Sequence, residues 1–217
     1  AYETKVHKTE KEVKIETTLS ISAIYIQRIL DIQVTWNIQA DGTVDIAMDV
    51  KRNPIFPMLP RFGLRLFLPK EMKDVTYYGL GPVESYMDKR RASWHGEFSS
   101  PVTDLHEDYI RPQENGSHYD CDYVTLSSNA GHLLPERKTS LTAVSGQTFS
   151  FNASVYTEEE LTNKAHHYEL EECGSTVLCL DYRQNGIGSN SCGPQLIEKY
   201  RLDENEFHFE LRLKPEA

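Results

Sequence analysis

The sequence lacks the features that mark several large classes of protein. No apolar run approaches the roughly 18 residues of a membrane-spanning helix. The longest basic run is Lys89-Arg90-Arg91 and the formal net charge is −10, whereas a nucleic-acid surface needs a basic stripe. We therefore expect neither a membrane nor a nucleic acid as partner. The acidic balance favours solubility and is compatible with a neutral ligand such as a sugar.

Cysteine is scarce, and the spacing of the cysteines matches no common metal-binding motif. The chain has four cysteines, Cys121, Cys173, Cys179 and Cys192. No Cys-x-x-Cys pair occurs, so neither a zinc knuckle nor a thioredoxin-like site is expected. Four cysteines are too few for a disulfide-dependent scaffold, and we expect most to be free buried thiols. One bridge stays open if the protein is periplasmic; the sequence does not decide between cytoplasm and periplasm.

Signals for processing and for common catalytic centres are also missing. The first residues, AYETKVHKTEKEVKIE, are charged and polar, with no signal peptide and no initiating Met. A mature product or an excised segment is therefore expected. No Gly-x-Ser-x-Gly elbow occurs, since Ser189 stands where its first glycine belongs. No histidines show the i, i+4 spacing of a helical metal site, so neither a nucleophilic triad nor a metal centre is expected.

Alternation with period two dominates what is present. It places apolar residues on one face of several segments, among them Lys11–Ile21, 32–38, 44–50, 62–68 and 207–213. Asp41-Gly42 between two alternating runs predicts a hairpin, and further strands are expected from Val75, from Tyr119 and at 175–184. These short strands and frequent turns predict an all-β antiparallel sandwich, with residues 1–217 as a single domain.

Three segments interrupt this pattern before a final pair of strands. Asn53–Pro60 holds three prolines and is expected to be a connection packed between layers. Tyr86–Ser100 is expected to be a short helix or an irregular loop. Thr157, Glu158 and Glu160 form a capping signal that predicts one helix from Glu158 to about His167, roughly ten residues. Near the end, a final pair of strands is expected around 203–205.

Several polar groups are candidates for chemistry, each with a structural alternative. Glu84, Tyr86, Asp88 and Arg90 alternate after a Gly-Leu-Gly-Pro turn, as either an ion-paired loop buttress or a ligand contact. Residues 113–115, Gln-Glu-Asn, suit sugar hydroxyls or nearby backbone N–H groups.

The acidic runs are expected to be solvated or to cap helices rather than to catalyse, although a glycosidase needs two carboxyl groups. They are 158–160 and the group Glu169, Glu171 and Glu172. His166 and His167 are expected to complement a helix C-terminus.

Five motifs in order resemble one known family. They are LPRFGLRLFLP (59–69), YYGLGPVESYMDKR (77–90), YIRPQENG (109–116), FNASVYTEEELTNKAHHYEL (151–170) and DYRQNGIGSNSCGP (181–194). Together they resemble the C-terminal small-chain domain of the large β-galactosidases of glycoside hydrolase family 2. The resemblance implies an all-β supersandwich similar to galactose mutarotase, excised from a longer enzyme.

The resemblance also implies what this chain does not do. The family's catalytic glutamates and magnesium ligands belong to a separate (β/α)₈ barrel, which cannot fit here. We expect no catalytic residue and no cofactor in this chain, and no activity of the chain alone. The implied partners are the remaining domains of a retaining β-galactosidase and its galactoside substrate, with a homo-oligomer expected for the intact enzyme.

The loop from Gly186 to Pro194 is the segment to which the resemblance assigns substrate contact. In the family it helps to shape the aglycone side of the pocket, which makes Cys192, Ser191 and Asn190 the expected substrate-binding residues. Some members carry Trp at the position of Cys192, and Cys offers little stacking area. Asp122 also departs from the family, which often has Arg there.

Two other functions stay open at this point. A stand-alone carbohydrate-binding module would need exposed aromatic side chains on one face, and only two Trp exist. An aldose 1-epimerase would need a His and a Glu converging in one pocket, and rests on fold similarity alone.

Overall fold

The computed structural model describes residues 1–23, 25, 27–128, 139–188 and 195–216. These residues form eleven strands: β1 (Glu3–Lys8), β2 (Glu12–Ser22), β3 (Arg28–Gln39), β4 (Val44–Arg52), β5 (Arg61–Pro69), β6 (Asp74–Gly81), β7 (Trp94–Pro101), β8 (Ser117–Ser127), β9 (Ser140–Ser154), β10 (Ser175–Gln184) and β11 (Glu206–Glu216). One α-helix, α1, spans Glu158–Asn163, and 3₁₀ turns occupy Val102–Leu105, His167–Glu169 and Glu198–Tyr200. None of the helices in these ranges is long and apolar enough to cross a membrane.

The strands form one branched antiparallel sheet. Its main order is β1-β2-β3-β4-β11-β9-β8-β6-β7, and β10 pairs with β9 and carries β5 on its other edge. Strand β9 is the branch point, since it pairs with β8, β10 and β11. The prediction of an all-β antiparallel fold is confirmed.

Three arms of the sheet meet at β9: the strands from β11 to β1, the strands from β8 to β7, and β10 with β5. The core lies where these arms face one another. Ile46, Met48 and Val50 alternate along β4 and are buried, as the period-two pattern predicts. The ring of Phe207 on β11 contacts Phe62 on β5 and stacks on Tyr182 of β10, with centroids 5.0 and 4.7 Å apart. Aromatic contacts of this kind join the two layers and support the predicted sandwich.

The expected hairpin at Asp41-Gly42 is present. Gly42 has a φ of 87°, a backbone conformation that favours glycine. The N–H of Thr43 bonds to the side chain of Asp41 at 2.9 Å, and β3 then pairs with β4 over its length.

The predicted helix is shorter than expected. Thr157 caps it as predicted, because its side chain accepts a hydrogen bond from the N–H of Glu160 at 3.1 Å. The helix ends at Asn163, where Lys164 takes an extended backbone. The Glu169 carboxylate then accepts bonds from the N–H groups of Ala165 and His166, which starts a separate 3₁₀ turn. A ten-residue helix to His167 was therefore wrong.

Two other expectations about elements are corrected. The segment Tyr86–Ser100 is not simply a helix or loop, because Trp94–Pro101 forms strand β7 paired with β6. No hairpin pair forms around 203–205 in the described chain. Leu202 instead bridges to Leu59, and the Arg52 guanidinium binds the backbone oxygens of Asp203 and Glu204 at 2.7 and 3.2 Å. Strand β11 then pairs with β4 and β9.

The proline-rich connection packs between layers only in part. Leu59 is buried, whereas Ile55 is 79% exposed. The segment is a connection, as predicted, but most of it lies on the surface.

Candidate functional site

The predicted substrate-side residues Asn190, Ser191 and Cys192 lie outside the described residues. The structure does describe the beginning of their loop, residues 185–188, which follows β10. The N–H of Asn185 bonds to the carbonyl of Pro60 at 2.9 Å, and its side chain accepts a bond from the N–H of Leu202 at 2.6 Å. The N–H of Gly186 bonds to the carbonyl of Tyr200 at 3.0 Å. The start of the loop is therefore fixed to two neighbouring segments.

Asp88 also binds this stretch of the loop. Its carboxylate accepts hydrogen bonds from the N–H groups of Ile187 and Gly188, at 3.1 and 3.0 Å. A Cβ at position 186 would overlap that carboxylate, so a larger residue there would push the Asp88 side chain aside. Asp88 belongs to the 77–90 motif, so the contact joins two of the motifs that carry the family resemblance.

Glu84 gives the 77–90 motif a buried ionic centre. Its carboxylate binds the ammonium of Lys89, the hydroxyl of Tyr109 and the N–H of Gly116, the last at 2.8 Å. Burial opposes ionisation of Glu84, but these three bonds outweigh it and hold its pKa below the usual value. Glu84 thus has the contacts of a loop buttress rather than those of a free ligand-binding group.

Arg61 is the centre of a second polar cluster, next to Pro60. Its guanidinium donates two hydrogen bonds to Asp181, from Nε to Oδ1 at 3.2 Å and from Nη2 to Oδ2 at 2.5 Å. Its Nη1 lies 3.1 Å from Glu114 and 3.6 Å from Glu158. One cation therefore serves carboxylates from β10, from the segment before β8 and from α1.

Two amide side chains complete the cluster around Arg61. Asn152 on β9 donates to Glu114 at 2.8 Å and to the carbonyl of Asn115 at 2.7 Å. Gln184 donates to Asn152 and to Asp181, both at 3.0 Å. The buried polar groups of this cluster satisfy one another, which is what the low-dielectric interior requires.

Burial raises the pKa of two carboxyl groups of this cluster, Glu114 and Asp181, although the positive charge of Arg61 opposes the rise in both. The pKa of Glu114 rises to about 7. The 109–116 motif was expected to contact a sugar or nearby backbone. Asn115 takes the second role, since its side-chain oxygen accepts a bond from the N–H of Glu107 at 3.2 Å. Glu114 instead binds Arg61 and Asn152.

The acidic residues at the start of α1 were expected to be solvated or to cap a helix, and the structure instead places them in ion pairs. Arg65 contacts Glu158 at 2.7 Å and Glu159 at 2.8 Å. Glu160 contacts Lys164 at 3.3 Å and accepts a bond from the N–H of Glu171. His166 and His167 lie beyond the end of α1, where His166 precedes the following 3₁₀ turn and His167 is its first residue. They are therefore not at the helix C-terminus that they were expected to complement.

Cysteine and histidine show no metal chemistry in the described ranges. There, no three His, Cys, Asp or Glu side chains are grouped so as to hold a metal ion. Cys121 and Cys179 are free and buried, as predicted, whereas Cys173 is free and exposed. His118 is buried against Tyr77 and Phe151, and burial lowers its pKa to about 4. Burial also keeps it from direct contact with a solvent-borne substrate.

Sequence reasoning missed the part played by Arg61 and Asp181. A signal existed, since Asp181 interrupts the otherwise apolar run TVLCL at 176–180, and a buried charge needs a partner. Nothing in the sequence identifies that partner, because Arg61 lies 120 residues away.

Comparison with known proteins identifies the family to which these motifs belong. The sequence model of the β-galactosidase small chain matches residues 1–213. The β-galactosidase of Actinobacillus pleuropneumoniae is 42% identical over 207 residues, which cover 95% of this chain and 19% of the relative. That of Staphylococcus xylosus is 41% identical over 97% of this chain and 21% of the relative. The chain thus spans about a fifth of the length of these relatives.

A similar solved structure is galactose 1-epimerase from Lactobacillus acidophilus NCFM. It is 10% identical, with a TM-score of 0.48 over 98% of this chain and 65% of that one. The family match over residues 1–213 decides the assignment by itself. The chain belongs to the β-galactosidase small-chain family.

Proposed function

We propose that this chain is the C-terminal small-chain domain of a glycoside hydrolase family 2 β-galactosidase, and that it completes the enzyme without performing the chemistry. The observation that carries this proposal is the family match over residues 1–213 with relatives about five times longer. The intact enzyme would hydrolyse terminal β-galactosides such as lactose with retention, through a glutamate outside this chain.

The chain's contribution would be a wall on the aglycone side of the pocket. Asn190, Ser191 and Cys192 are the residues proposed to face the substrate. The contacts of Asp88, Tyr200 and Pro60 with residues 185–188 support this role, because they fix the stretch from which those residues follow. Any magnesium would be bound by another domain, and the remaining domains would be this chain's partners in a homo-oligomeric enzyme.

The test compares the chain with the whole polypeptide on a chromogenic β-galactoside. We expect no turnover by the 217-residue chain and turnover by the whole polypeptide. Turnover by the chain alone, lost on substitution within it, would overturn the proposal.

In the whole polypeptide, Cys192→Trp should change kcat/KM in a way that depends on the aglycone, because an indole adds stacking area. Unchanged aglycone preference would remove Cys192 from the site.

A further inference from the structure

The inner face of the sheet continues beyond the core at the β1–β2 hairpin. Residues directly opposite each other in neighbouring antiparallel strands lie on the same face. Two rows on the core-facing side carry the apolar side chains of these strands: Ile46–Trp36–Ile15–Val6, which is apolar as far as the edge, and Val44–Ile38–Val13, which ends at Lys8 on β1. The row behind the first, on the other face, is Ala47–Thr35–Glu16–Lys5. The apolar character therefore belongs to one face.

Burial decreases along the first row towards the edge strand, from Ile46, which is 1% exposed, to Val6, which is 61% exposed. In the second row Ile38 is 36% exposed. Ile15 and Val13 are partly buried. The apolar surface is thus continuous with the core at β4 and open at β1, a pattern typical of a face that packs against something else.

We propose that this face, formed by Val6, Val13, Ile15 and Ile38 and called here the hairpin face, packs against apolar side chains from the rest of the β-galactosidase polypeptide. This inference rests on the proposed function, because it treats the chain as one part of a longer enzyme. It goes further by naming the surface of the chain that the rest of the enzyme covers.

The length of the relatives favours this occupant. Both of these β-galactosidases hold about four fifths of their residues outside the matched region, so in those relatives a large amount of protein is available to cover a face of this fold. A second copy of the chain paired with the free edge of β1 is a less favourable occupant than the rest of the polypeptide, because Lys5 and Lys8 lie on this strand. Lysines on an edge strand are a common device against edge-to-edge pairing.

Cysteine accessibility tests the inference. Val6→Cys is made both in this chain and in the whole polypeptide, and its reaction with N-ethylmaleimide is followed by peptide mass spectrometry, which separates position 6 from the native cysteines. We expect at least tenfold slower labelling in the whole polypeptide. Val13→Cys serves as a second position on the hairpin face. Lys5→Cys, on the opposite face of the same strand, is the matched control and should label at similar rates in both.

Three results would overturn the inference. Equal labelling of position 6 in both proteins would leave the hairpin face uncovered. Equal protection of positions 5 and 6 would mean that the whole hairpin is covered, not this face. Slower labelling of the 217-residue chain at higher protein concentration would identify a second copy as the occupant. Galactoside hydrolysis is measured on the same samples, so an inactive polypeptide that still protects position 6 counts against the proposed function alone.

Discussion

At the scale of single residues, Glu114 shows how one shared cation sets a protonation state. Arg61 is bound by Asp181 with two bonds and also contacts Glu158, so Glu114 receives only part of its charge. Burial then raises the pKa of Glu114 from 4.5 to about 7. The folded protein binds this proton more tightly than the unfolded chain does. The stability from this group is therefore complete below about pH 4.5 and is lost as the pH rises through about 7.

We predict that Glu114→Gln reduces the loss of stability between pH 5 and pH 8. The difference between the two pKa values corresponds to at most about 3 kcal/mol. Because 32% of the side chain is exposed, we expect a reduction of roughly 1–2 kcal/mol. Urea unfolding at both pH values measures it, and Glu10→Gln at an exposed position is the control. An identical pH dependence in wild type and Glu114→Gln would contradict the raised pKa.

At the scale of elements, the loop after β10 depends on a contact from a distant segment. Asp88 accepts two backbone hydrogen bonds from Ile187 and Gly188, and a bond to a charged group contributes more than one between neutral groups. The loop therefore begins with a fixed backbone, although glycines at 186 and 188 give it intrinsic freedom.

We predict that Asp88→Ala speeds amide hydrogen exchange at Ile187 and Gly188 by about tenfold or more, because both N–H groups lose their acceptor. Asp88→Asn, which keeps one carbonyl oxygen, should give an intermediate rate. Exchange is read residue by residue by NMR, with Asp122→Ala, at an exposed position of β8, as the matched control. Unchanged exchange at both amides in Asp88→Ala would show that other contacts hold the loop.

The strands differ in how visible they are in the sequence. Strands β4 and β11 are easily recognised in the sequence, because one face of each is buried and apolar side chains therefore alternate along them. β7 was missed because Gly96 breaks its inner face, where Trp94 and Phe98 are the only large apolar residues. The pairing of β11 with β4 and β9 could not be predicted either, since it joins segments more than 60 residues apart and local patterns carry no such information.

At the scale of the whole molecule, one hydrophobic core includes strands from both sides of β9 in the main strand order. Leu30 and Ile32 of β3, Phe209 of β11 and Tyr77 of β6 belong to one cluster. Sequence patterns predicted the class of fold from such alternation. They could not place Arg61 beside Asp181 or fix residues 185–188 against Asp88, because these contacts depend on the packing of segments distant in the chain.

We predict that residues 1–217 unfold in one cooperative transition, as a single domain should. The two tryptophans provide probes on either side of β9 in the strand order, Trp36 on β3 and Trp94 on β7. Trp94→Phe leaves the first as the sole tryptophan and Trp36→Phe leaves the second. In each variant, the fluorescence and circular dichroism midpoints in urea should coincide. Separate midpoints for the two signals within one variant would divide the chain into two units.

Strand β9 has a mechanical consequence. Residues 140–144 are bonded to β11 and β8, and residues 150–154 are bonded to β10. One continuous backbone is thus common to the arm that carries the hairpin face and to the arm that leads into the loop after Gln184. A force applied at the hairpin face would therefore reach the loop through the backbone of β9, across residues 145–148, where the register with β8 shifts.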